Sequence, residues 1–309
     1  MKTFFIKSIR QFLRWWAKKG IAPGILHQIV DQHAAKLHTK PLLRQISGRN
    51  YLFCDLRDHV ESRIYFFGAY EPIEAFLFCS LVQPDMHIVD AGANIGFYSL
   101  LLSSKLSDRG RVFAFEPVPV NLEKLKSNIA QSGRTKIDVI ESGLWDKEDT
   151  LKFSLDSAHG DNAGSYTAGK TDEEGIAFEC PVRSMDSYLD DGTIPKVDLI
   201  KMDIEGAELF ALKGAAQVLD LYQPTILMEI NQQACARFGY RSEEIDNILL
   251  PKGYKIFRIE SLPQNSGFIE STKNIIQSNV LFLSPKDLDR FQPSWDYKKV
   301  KRAFANNKM

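Results

Sequence analysis

The chain has few cysteines, no long hydrophobic run and no net charge. Its four cysteines, Cys54, Cys79, Cys180 and Cys235, are widely separated and form no C-x-x-C pair, so neither a zinc site nor a disulfide framework is indicated. No apolar run approaches the ~18 residues of a membrane-spanning helix. Lysine plus arginine and aspartate plus glutamate both number 39, which gives no reason to expect nucleic acid as a partner. These absences favour a globular protein of a reducing, cytoplasmic compartment.

The glycine-rich fingerprint of a dinucleotide site is also absent, although a related loop is present. Residues 88–96 read Ile-Val-Asp-Ala-Gly-Ala-Asn-Ile-Gly, an apolar run that reaches Asp90 and is followed by Gly92 and Gly96. This pattern predicts a buried strand, a tight turn and the start of a helix. Asp90 stands where a dinucleotide site usually has its first glycine, and its charge would repel a pyrophosphate. A carboxylate there suits a ligand with an amine, such as S-adenosylmethionine, which carries an ammonium, a sulfonium and a ribose.

Strand and helix patterns alternate from residue 87 onward, which predicts an α/β fold with a mostly parallel sheet. Glu116 directly follows the second strand, where an acid can accept hydrogen bonds from ribose hydroxyls. The predicted strands are 87–91, 111–115, 137–140, 197–202, 225–230, 254–258 and 279–283. The helices predicted beside them are 95–104, 119–132, 207–220 and 242–250.

One stretch breaks this alternation. Residues 151–155 and 176–182 read as two strands, and a polar, glycine-containing loop joins them. The pattern predicts a hairpin whose loop, 156–175, is a candidate lid. His159 in this loop is either a catalytic base or an ordinary solvated histidine.

Acidic residues collect at the predicted carboxyl ends of the strands, where ligands bind in open α/β sheets. Asp203 and Glu205 follow the fourth strand, and Glu229 lies near the end of the fifth. Three carboxylates that converge on one edge repel each other, so they persist more often where a cation, sugar or cofactor uses them. Glu208 is better explained as a cap of the helix that follows.

Four segments together resemble the FkbM family of methyltransferases. The resemblance covers roughly residues 64–285 and implies a class I, Rossmann-like sheet of seven mostly parallel strands whose last strand is antiparallel. It also implies S-adenosylmethionine as cofactor and transfer of a methyl group to a hydroxyl of a sugar, glycan or secondary metabolite. The segments that carry the resemblance are DAGANIGFYS at 90–99, FAFEP at 113–117, IKMDIEGAE at 200–208 and ILMEI at 226–230.

The cofactor is expected to contact residues after the first three strands. The loop at Asp90 should surround its methionine part, Glu116 its ribose and the backbone near Gly143 its adenine. Trp145 is either a neighbour of the adenine or a core aromatic. The predicted cofactor-binding residues are Asp90, Gly92, Asn94, Gly96, Glu116, Gly143 and Leu144.

The acceptor should bind at the remaining carboxylates. A hydroxyl has a high pKa, so a general base assists its attack; Asp203 or Glu229 is predicted as that base, with Glu205 and Lys201 orienting the acceptor. Asp203 and Glu205 are also hard oxygen ligands, so magnesium is possible there but is not part of the prediction. Two alternatives stay open: a nicotinamide-dependent oxidoreductase on a similar sheet, and a non-catalytic scaffold.

The two ends of the chain differ from its middle. We predict an N-terminal helical or irregular extension at 1–63, a methyltransferase domain at 64–290 and a basic tail at 291–309. Residues 1–20 contain six cations and no acid. Such a basic amphipathic helix can dock on its own domain or a partner subunit, lie on an anionic membrane or serve as a transit peptide. Its predicted apolar face is Phe5, Ile9, Phe12, Leu13 and Trp16; its predicted cationic face is Lys7, Arg10, Arg14 and Lys18.

Overall fold

The computed structural model describes residues 2–155, 166–168, 177–261, 266–271, 277–291 and 294–295. His159, most of the predicted lid and nearly all of the predicted C-terminal tail lie outside these residues. The strands are Leu42–Ser47 (β1), Asn50–Cys54 (β2), His87–Ala91 (β3), Arg111–Phe115 (β4), Ile137–Ile140 (β5), Gly143–Leu144 (β6), Asp149–Leu155 (β7), Tyr166–Ala168 (β8), Ala177–Arg183 (β9), Leu199–Met202 (β10), Thr225–Asn231 (β11), Lys255–Ser261 (β12), Ser266–Ser271 (β13), Gln277–Leu283 (β14) and Ser294–Trp295 (β15).

The α-helices surround this set of strands. They are Lys2–Lys19 (α1), Pro23–His33 (α2), His59–Phe67 (α3), Pro72–Leu81 (α4), Phe97–Ser103 (α5), Pro119–Ser132 (α6), Met185–Asp190 (α7), Glu208–Lys213 (α8), Ala216–Leu221 (α9), Gln232–Arg237 (α10) and Glu243–Leu249 (α11). No helix in the described part of the chain is both long and apolar enough to cross a bilayer.

The central sheet has the order β15-β13-β12-β14-β11-β10-β3-β4-β5 within the described residues. Strands β3, β4, β5, β10 and β11 run parallel to one another, and β14 is antiparallel to both of its neighbours. The expected seven-stranded sheet with an antiparallel last strand is therefore confirmed. Two further strands, β13 and β15, extend it beyond β12 and were not predicted.

Apolar side chains alternate between the two faces of this sheet. Ile88 and Leu199 belong to the core that includes α3 to α5, whereas Val89 and Ile200 belong to the core that includes α7 to α11. Because both faces are covered, the parallel strands are mostly apolar. Asp90 and Lys201 are exceptions near the carboxyl ends of β3 and β10, where the strands border one crevice.

The predicted hairpin after the third strand is present as β7 and β9, which pair antiparallel, with β8 added beside β7. The predicted helix 207–220 is instead two short helices, α8 and α9, which meet around Gly214. A Cβ at Gly214 would lie 2.0 Å from the Trp145 carbonyl oxygen, so close packing against that backbone accompanies the interruption.

The N-terminal extension contains helices, as expected, and also the hairpin formed by β1 and β2. Helix α1 packs on the domain through Ile6, Ile9, Leu13, Trp16 and Ala17.

The predicted faces of α1 were wrong at three positions. Phe5 and Phe12 are exposed, at 67% and 54%, and Arg10 is buried. Arg10 donates to the Leu37 carbonyl at 3.5 Å and to the Thr39 hydroxyl at 3.2 Å. The docked face is therefore rotated toward Arg10, whose aliphatic stem can be buried while its head finds acceptors.

Candidate active site

A pocket lies at the carboxyl ends of β3, β4, β10 and β11, and ten of the eleven predicted site residues line it. The exception is Gly96, which precedes α5 with φ +91°. A Cβ at Gly96 would lie 2.7 Å from Leu125 Cδ1 on α6. Gly96 therefore allows the loop after β3 to pack closely on α6, and it does not line the pocket itself.

Gly92 is required where two loops touch. It has φ +77°, and a Cβ there would lie 2.0 Å from the Asp203 carbonyl oxygen. Gly92 was predicted as a cofactor-binding residue. In the structure its nearest neighbour is the backbone after β10, so the missing side chain lets the loop after β3 pack against the loop that carries Asp203.

Asp90 is buried at the end of β3 with one oxygen paired and one unpaired. Its Oδ2 accepts from the Ser99 hydroxyl at 2.5 Å, and its Oδ1 has no hydrogen-bond partner among the described residues. Burial raises the pKa of Asp90, and the charge of Lys201 opposes that shift. An unpaired buried carboxylate oxygen at a pocket wall is a natural acceptor for a ligand ammonium or hydroxyl.

Glu116 is oriented by N–H groups of its own chain. Its Oε2 accepts from the Asn94 backbone N at 2.8 Å, and its Oε1 accepts from Val118 N at 3.0 Å and Asn121 Nδ2 at 3.4 Å. Asn94 has φ +49°, a left-handed conformation. Burial raises the pKa of Glu116 to about 7 although these donors lower it. A carboxylate can accept about four hydrogen bonds, so Glu116 retains capacity for a ligand hydroxyl.

The far end of the pocket is apolar. Gly143 and Leu144 are buried and line it beside Val118 and Phe153. Trp145 packs as a core aromatic, stacked on Phe210 with ring centroids 4.1 Å apart, and it also contributes to the pocket wall. This end suits a flat aromatic group.

Lys201 places an ammonium inside the pocket. It is 4% exposed, its Nζ donates to Asp203 Oδ2 at 2.8 Å, and it lies 5.0 Å from the centroid of the Tyr98 ring. Burial lowers the pKa of Lys201, but the charges of Asp203, Asp90 and Glu71 outweigh burial and hold it above its ordinary value. The lysine is therefore a fixed cation.

Asp203 and Glu229 form a coupled carboxyl pair. Burial raises the pKa of Asp203, but Lys201 and a hydrogen bond from Glu229 outweigh burial and bring it below its ordinary value. The charge of Asp203, followed by burial and the nearby Glu71 and Glu205, raises the pKa of Glu229 to about 10. At neutral pH the pair therefore holds one proton, on Glu229, and one negative charge, on Asp203.

The comparison with known families decides the class of this protein. The sequence of the methyltransferase FkbM domain matches residues 90–256, which is more than half of the chain. The chain belongs to the FkbM methyltransferase family. This membership argues against the oxidoreductase alternative.

Three curated relatives are similar over part of their length. The AMB antimetabolite synthetase AmbE of Pseudomonas aeruginosa is 24% identical over 57% of this chain and 10% of AmbE. The hexuronic acid methyltransferase AglP of Haloferax volcanii is 29% identical over 44% of this chain and 53% of AglP. The 2-O-methyltransferase NoeI of Sinorhizobium fredii is 25% identical over 45% of this chain and 61% of NoeI. The matched part is thus a small fraction of AmbE and just over half of the other two.

The structure of this FkbM methyltransferase adds a site residue that sequence reasoning missed. Glu71 accepts from the Tyr98 hydroxyl at 3.2 Å and from Asn279 Nδ2 at 2.7 Å. Burial and the charge of Asp203 raise the pKa of Glu71 to about 7. The adjacent Tyr70 lines the pocket itself. In the sequence, an acid before Pro72 indicates the start of a helix. It does not indicate that Glu71 lies beside the active site.

Two residues at this end of the pocket have a backbone conformation that is rare for them. Glu71 has φ +44° and Glu205 has φ +55°, and non-glycine residues in this region tend to cluster at functional sites. Glu208 has a structural role, but it does not cap α8 as predicted. Its Oε1 accepts from the backbone N of Ile204 at 3.1 Å and of Gly206 at 3.2 Å, which lie in the loop before that helix, and α8 begins without a side-chain cap.

Within the residues that the structure describes, no group of three or more His, Cys, Asp or Glu side chains is arranged to hold a metal ion. The positive charge that faces Asp203 belongs to Lys201.

Proposed function

We propose that this FkbM methyltransferase transfers a methyl group from S-adenosylmethionine to a hydroxyl of a sugar or another small molecule. The observation that carries the proposal is the salt bridge between Lys201 Nζ and Asp203 Oδ2, which is 2.8 Å long and lines the pocket together with Glu229. This pair lies in the same pocket as Asp90 and Glu116.

The cofactor half of the pocket fits S-adenosylmethionine group by group. The unpaired Oδ1 of Asp90 suits the ammonium of its methionine part. Glu116 suits the ribose hydroxyls, and the apolar end at Leu144 suits the adenine. When bound, the cofactor supplies a methyl group that its sulfonium already activates. The residues of the chain have to position the acceptor and exclude water.

Asp203 is the proposed general base. Its carboxylate accepts the proton of the acceptor hydroxyl while the oxygen of that hydroxyl bonds to the methyl carbon and the carbon–sulfur bond breaks. Glu229 donates a hydrogen bond to Asp203 and thereby holds that carboxylate in position. Lys201 holds Asp203 ionised, and Glu205 lies at the pocket wall where an acceptor enters.

A hydroxyl fits this end of the pocket better than a carboxylate acceptor does. A carboxylate is already ionised at neutral pH and needs no base. It would also meet the negative field of Asp203, Glu71 and Glu205, which is strong enough to keep Glu229 protonated. Two relatives support this class of acceptor: AglP is a hexuronic acid methyltransferase, which supports a sugar, and NoeI is a 2-O-methyltransferase, which supports oxygen as the methylated atom.

The scaffold alternative has less support. An inactive site has no need for an ionised carboxylate beside a buried lysine, and the desolvation of such an ion pair costs stability. The arrangement is expected to persist where catalysis uses it.

The test is to incubate the purified chain with S-adenosylmethionine labelled in its methyl group and a panel of neutral and acidic glycosides. Labelled products are then treated with mild alkali, which cleaves methyl esters and leaves methyl ethers intact. We expect alkali-stable label on a hydroxyl oxygen. Release of labelled methanol would overturn the hydroxyl assignment while leaving the methyltransferase assignment in place.

A further inference from the structure

A second groove lies between helices α1–α2 and helices α3–α4. Its volume is about 980 Å³, and Tyr70 lines both this groove and the active-site pocket. Glu71, which receives the Tyr98 hydroxyl inside the active site, also lines the groove. The two cavities are therefore neighbours, with Tyr70 in the wall of both.

Two arginines in the groove form no ion pair within the described residues. They are Arg14 on α1 and Arg44 on β1, and both line the groove. The Nε of Arg44 is buried and has no hydrogen-bond partner among those residues. The Arg14 guanidinium instead lies 5.1 Å from the centroid of the Tyr65 ring.

The two guanidinium groups also repel each other. Burial, followed by the charge of Arg14, lowers the pKa of Arg44 to about 10. A buried N–H of Arg44 without an acceptor is unfavourable. An anion bound near Arg14 and Arg44 would supply that acceptor and relieve the repulsion between the two charges.

A third arginine in the groove, Arg63, differs because its guanidinium group has hydrogen-bond partners within the chain. Arg63 donates to His59 Nε2 at 2.9 Å and to Asp31 Oδ2 at 2.8 Å, and its Nη1 lies 2.9 Å from His27 Nδ1. Because Arg63 is fully engaged with its own chain, the open anion-binding capacity of the groove lies at Arg14 and Arg44.

The charges of the groove give it a direction. Lys18 and Lys19 add to the cations on α1, whereas Glu71 and Glu74 line the groove beside Tyr70. The aromatic residues Trp15, Phe66 and Phe67 also line it. A ligand with an acidic group, an apolar or sugar part and a free hydroxyl would pair its acidic group with the cations and leave its hydroxyl toward Tyr70, which also lines the active-site pocket.

We propose that this groove binds the acceptor, and that Arg14 and Arg44 hold an oxyanion located away from the hydroxyl that is methylated. The oxyanion is a carboxylate or a phosphate, the two groups that guanidinium forks match. This inference deepens the proposed function and rests on it. It assigns the substrate class as an acidic amphipathic glycoside.

The test compares octyl glucuronide and octyl phosphate with octyl glucoside, which carries the same chain without an acidic group. Binding of each is measured by calorimetry in the presence of S-adenosylhomocysteine, with wild type, Arg14→Gln, Arg44→Gln and the control Arg57→Gln. Arg57 is exposed, already pairs with Asp55 and does not line the groove.

We expect wild type to prefer at least one acidic ligand over octyl glucoside by about ten-fold or more, the size of a charge-assisted contact. The preference should fall to about two-fold in either groove variant and persist in Arg57→Gln. The acidic ligand that shows the preference identifies the oxyanion as carboxylate or phosphate.

Equal binding of all three ligands to wild type would overturn the inference, as would a preference that survives in Arg14→Gln and Arg44→Gln. Arg14 is only half-buried on α1, so its variant supplies the result if Arg44→Gln does not fold. Affinity for S-adenosylhomocysteine should be the same in all variants. If wild type failed to bind it, the proposed function would fail; intact binding without an acidic preference would refute only the groove.

Discussion

The two halves of the pocket treat their carboxyl groups in opposite ways. In the cofactor half, Glu116 receives N–H donors from Asn94, Val118 and Asn121, and no other carboxylate is hydrogen-bonded to it among the described residues. The other half, here called the transfer half, contains Lys201, Asp203, Glu205 and Glu229. There the pKa of Asp203 is lowered, and the charges of Asp203, Glu71 and Glu205 raise the pKa of Glu229.

This difference separates binding from chemistry. Donors fixed by the backbone hold Glu116 in one position before a ligand arrives, which favours recognition of a constant cofactor. Crowded carboxylates keep one base ionised and its neighbour protonated, which favours proton transfer. Variants in one half should therefore leave the property of the other half intact.

The largest effect is expected from Asp203→Asn. Loss of the proposed general base should lower kcat about 10³-fold, within the usual range for such residues. Initial rates under saturating cofactor and acceptor measure it. Turnover within about ten-fold of wild type would remove Asp203 from the base role.

Glu229→Gln is the matched control for that variant. Because Glu229 is protonated at neutral pH, glutamine copies its charge and much of its hydrogen-bonding capacity. Turnover at pH 7 should stay within about ten-fold of wild type, far above that of Asp203→Asn. Equal losses in the two variants would contradict the assignment of base and proton donor.

The contact between the two halves is tested by Gly92→Ala. The new Cβ would have to displace the Asp203 carbonyl oxygen, and φ +77° is unfavourable for alanine. The variant should lose roughly 3 kcal/mol of unfolding free energy, measured in urea.

Gly133→Ala provides the control, because it also has positive φ, +61°, but no atom within 4 Å of the added Cβ. It should lose only about 1 kcal/mol. Equal losses would mean that backbone strain, and not the contact with Asp203, is the reason for glycine at 92.

The shared proton should also appear in the pH dependence of stability. Above pH 7 the unfolded chain has lost the Glu229 proton, while the folded chain keeps it until pH approaches 10. The folded state binds more protons, so the unfolding free energy falls as pH rises toward 10. Glu229→Gln should show a smaller fall between pH 7 and pH 9 in urea titrations. Parallel curves for the two proteins would contradict a protonated Glu229.

The smallest effect concerns the outer face of α1. We propose that this face contacts an anionic membrane, since Phe4, Phe5 and Phe12 are all more than half exposed and cations accompany them. Neither Phe5 nor Phe12 lines the groove. Replacing these two together by serine should weaken binding to anionic vesicles by roughly ten-fold. Unchanged sedimentation with vesicles, with neutral vesicles as the reference, would refute the membrane contact.

The same two halves differ in how far the sequence predicts them. The spacing of Asp90, Gly92 and Glu116 predicts the cofactor half because these residues follow adjacent strands of the sheet. It does not predict the tightest contact of Gly92, since a contact with the Asp203 backbone depends on how two loops pack.

The transfer half was predicted only where strand ends revealed it. Lys201 and Glu229 lie near the carboxyl ends of β10 and β11, and Asp203 and Glu205 follow β10. Glu71 instead lies just before α4 and accepts from Asn279, 208 residues away in sequence. No local pattern encodes such a contact. The sheet edge is hard to predict for a different reason: β15 has only two residues, and the apolar residues of β13, Phe268 and Ile269, are adjacent and do not alternate with polar ones.

The most direct test of the account is one calorimetric series with S-adenosylhomocysteine on wild type, Glu116→Ala and Asp203→Asn, each checked for folding by circular dichroism. We predict micromolar binding to wild type, a loss of about 10- to 100-fold in Glu116→Ala because charged hydrogen bonds to the ribose are removed, and unchanged affinity in Asp203→Asn. No binding to folded wild type, or equal affinity in wild type and Glu116→Ala, would contradict the placement of the cofactor at Glu116.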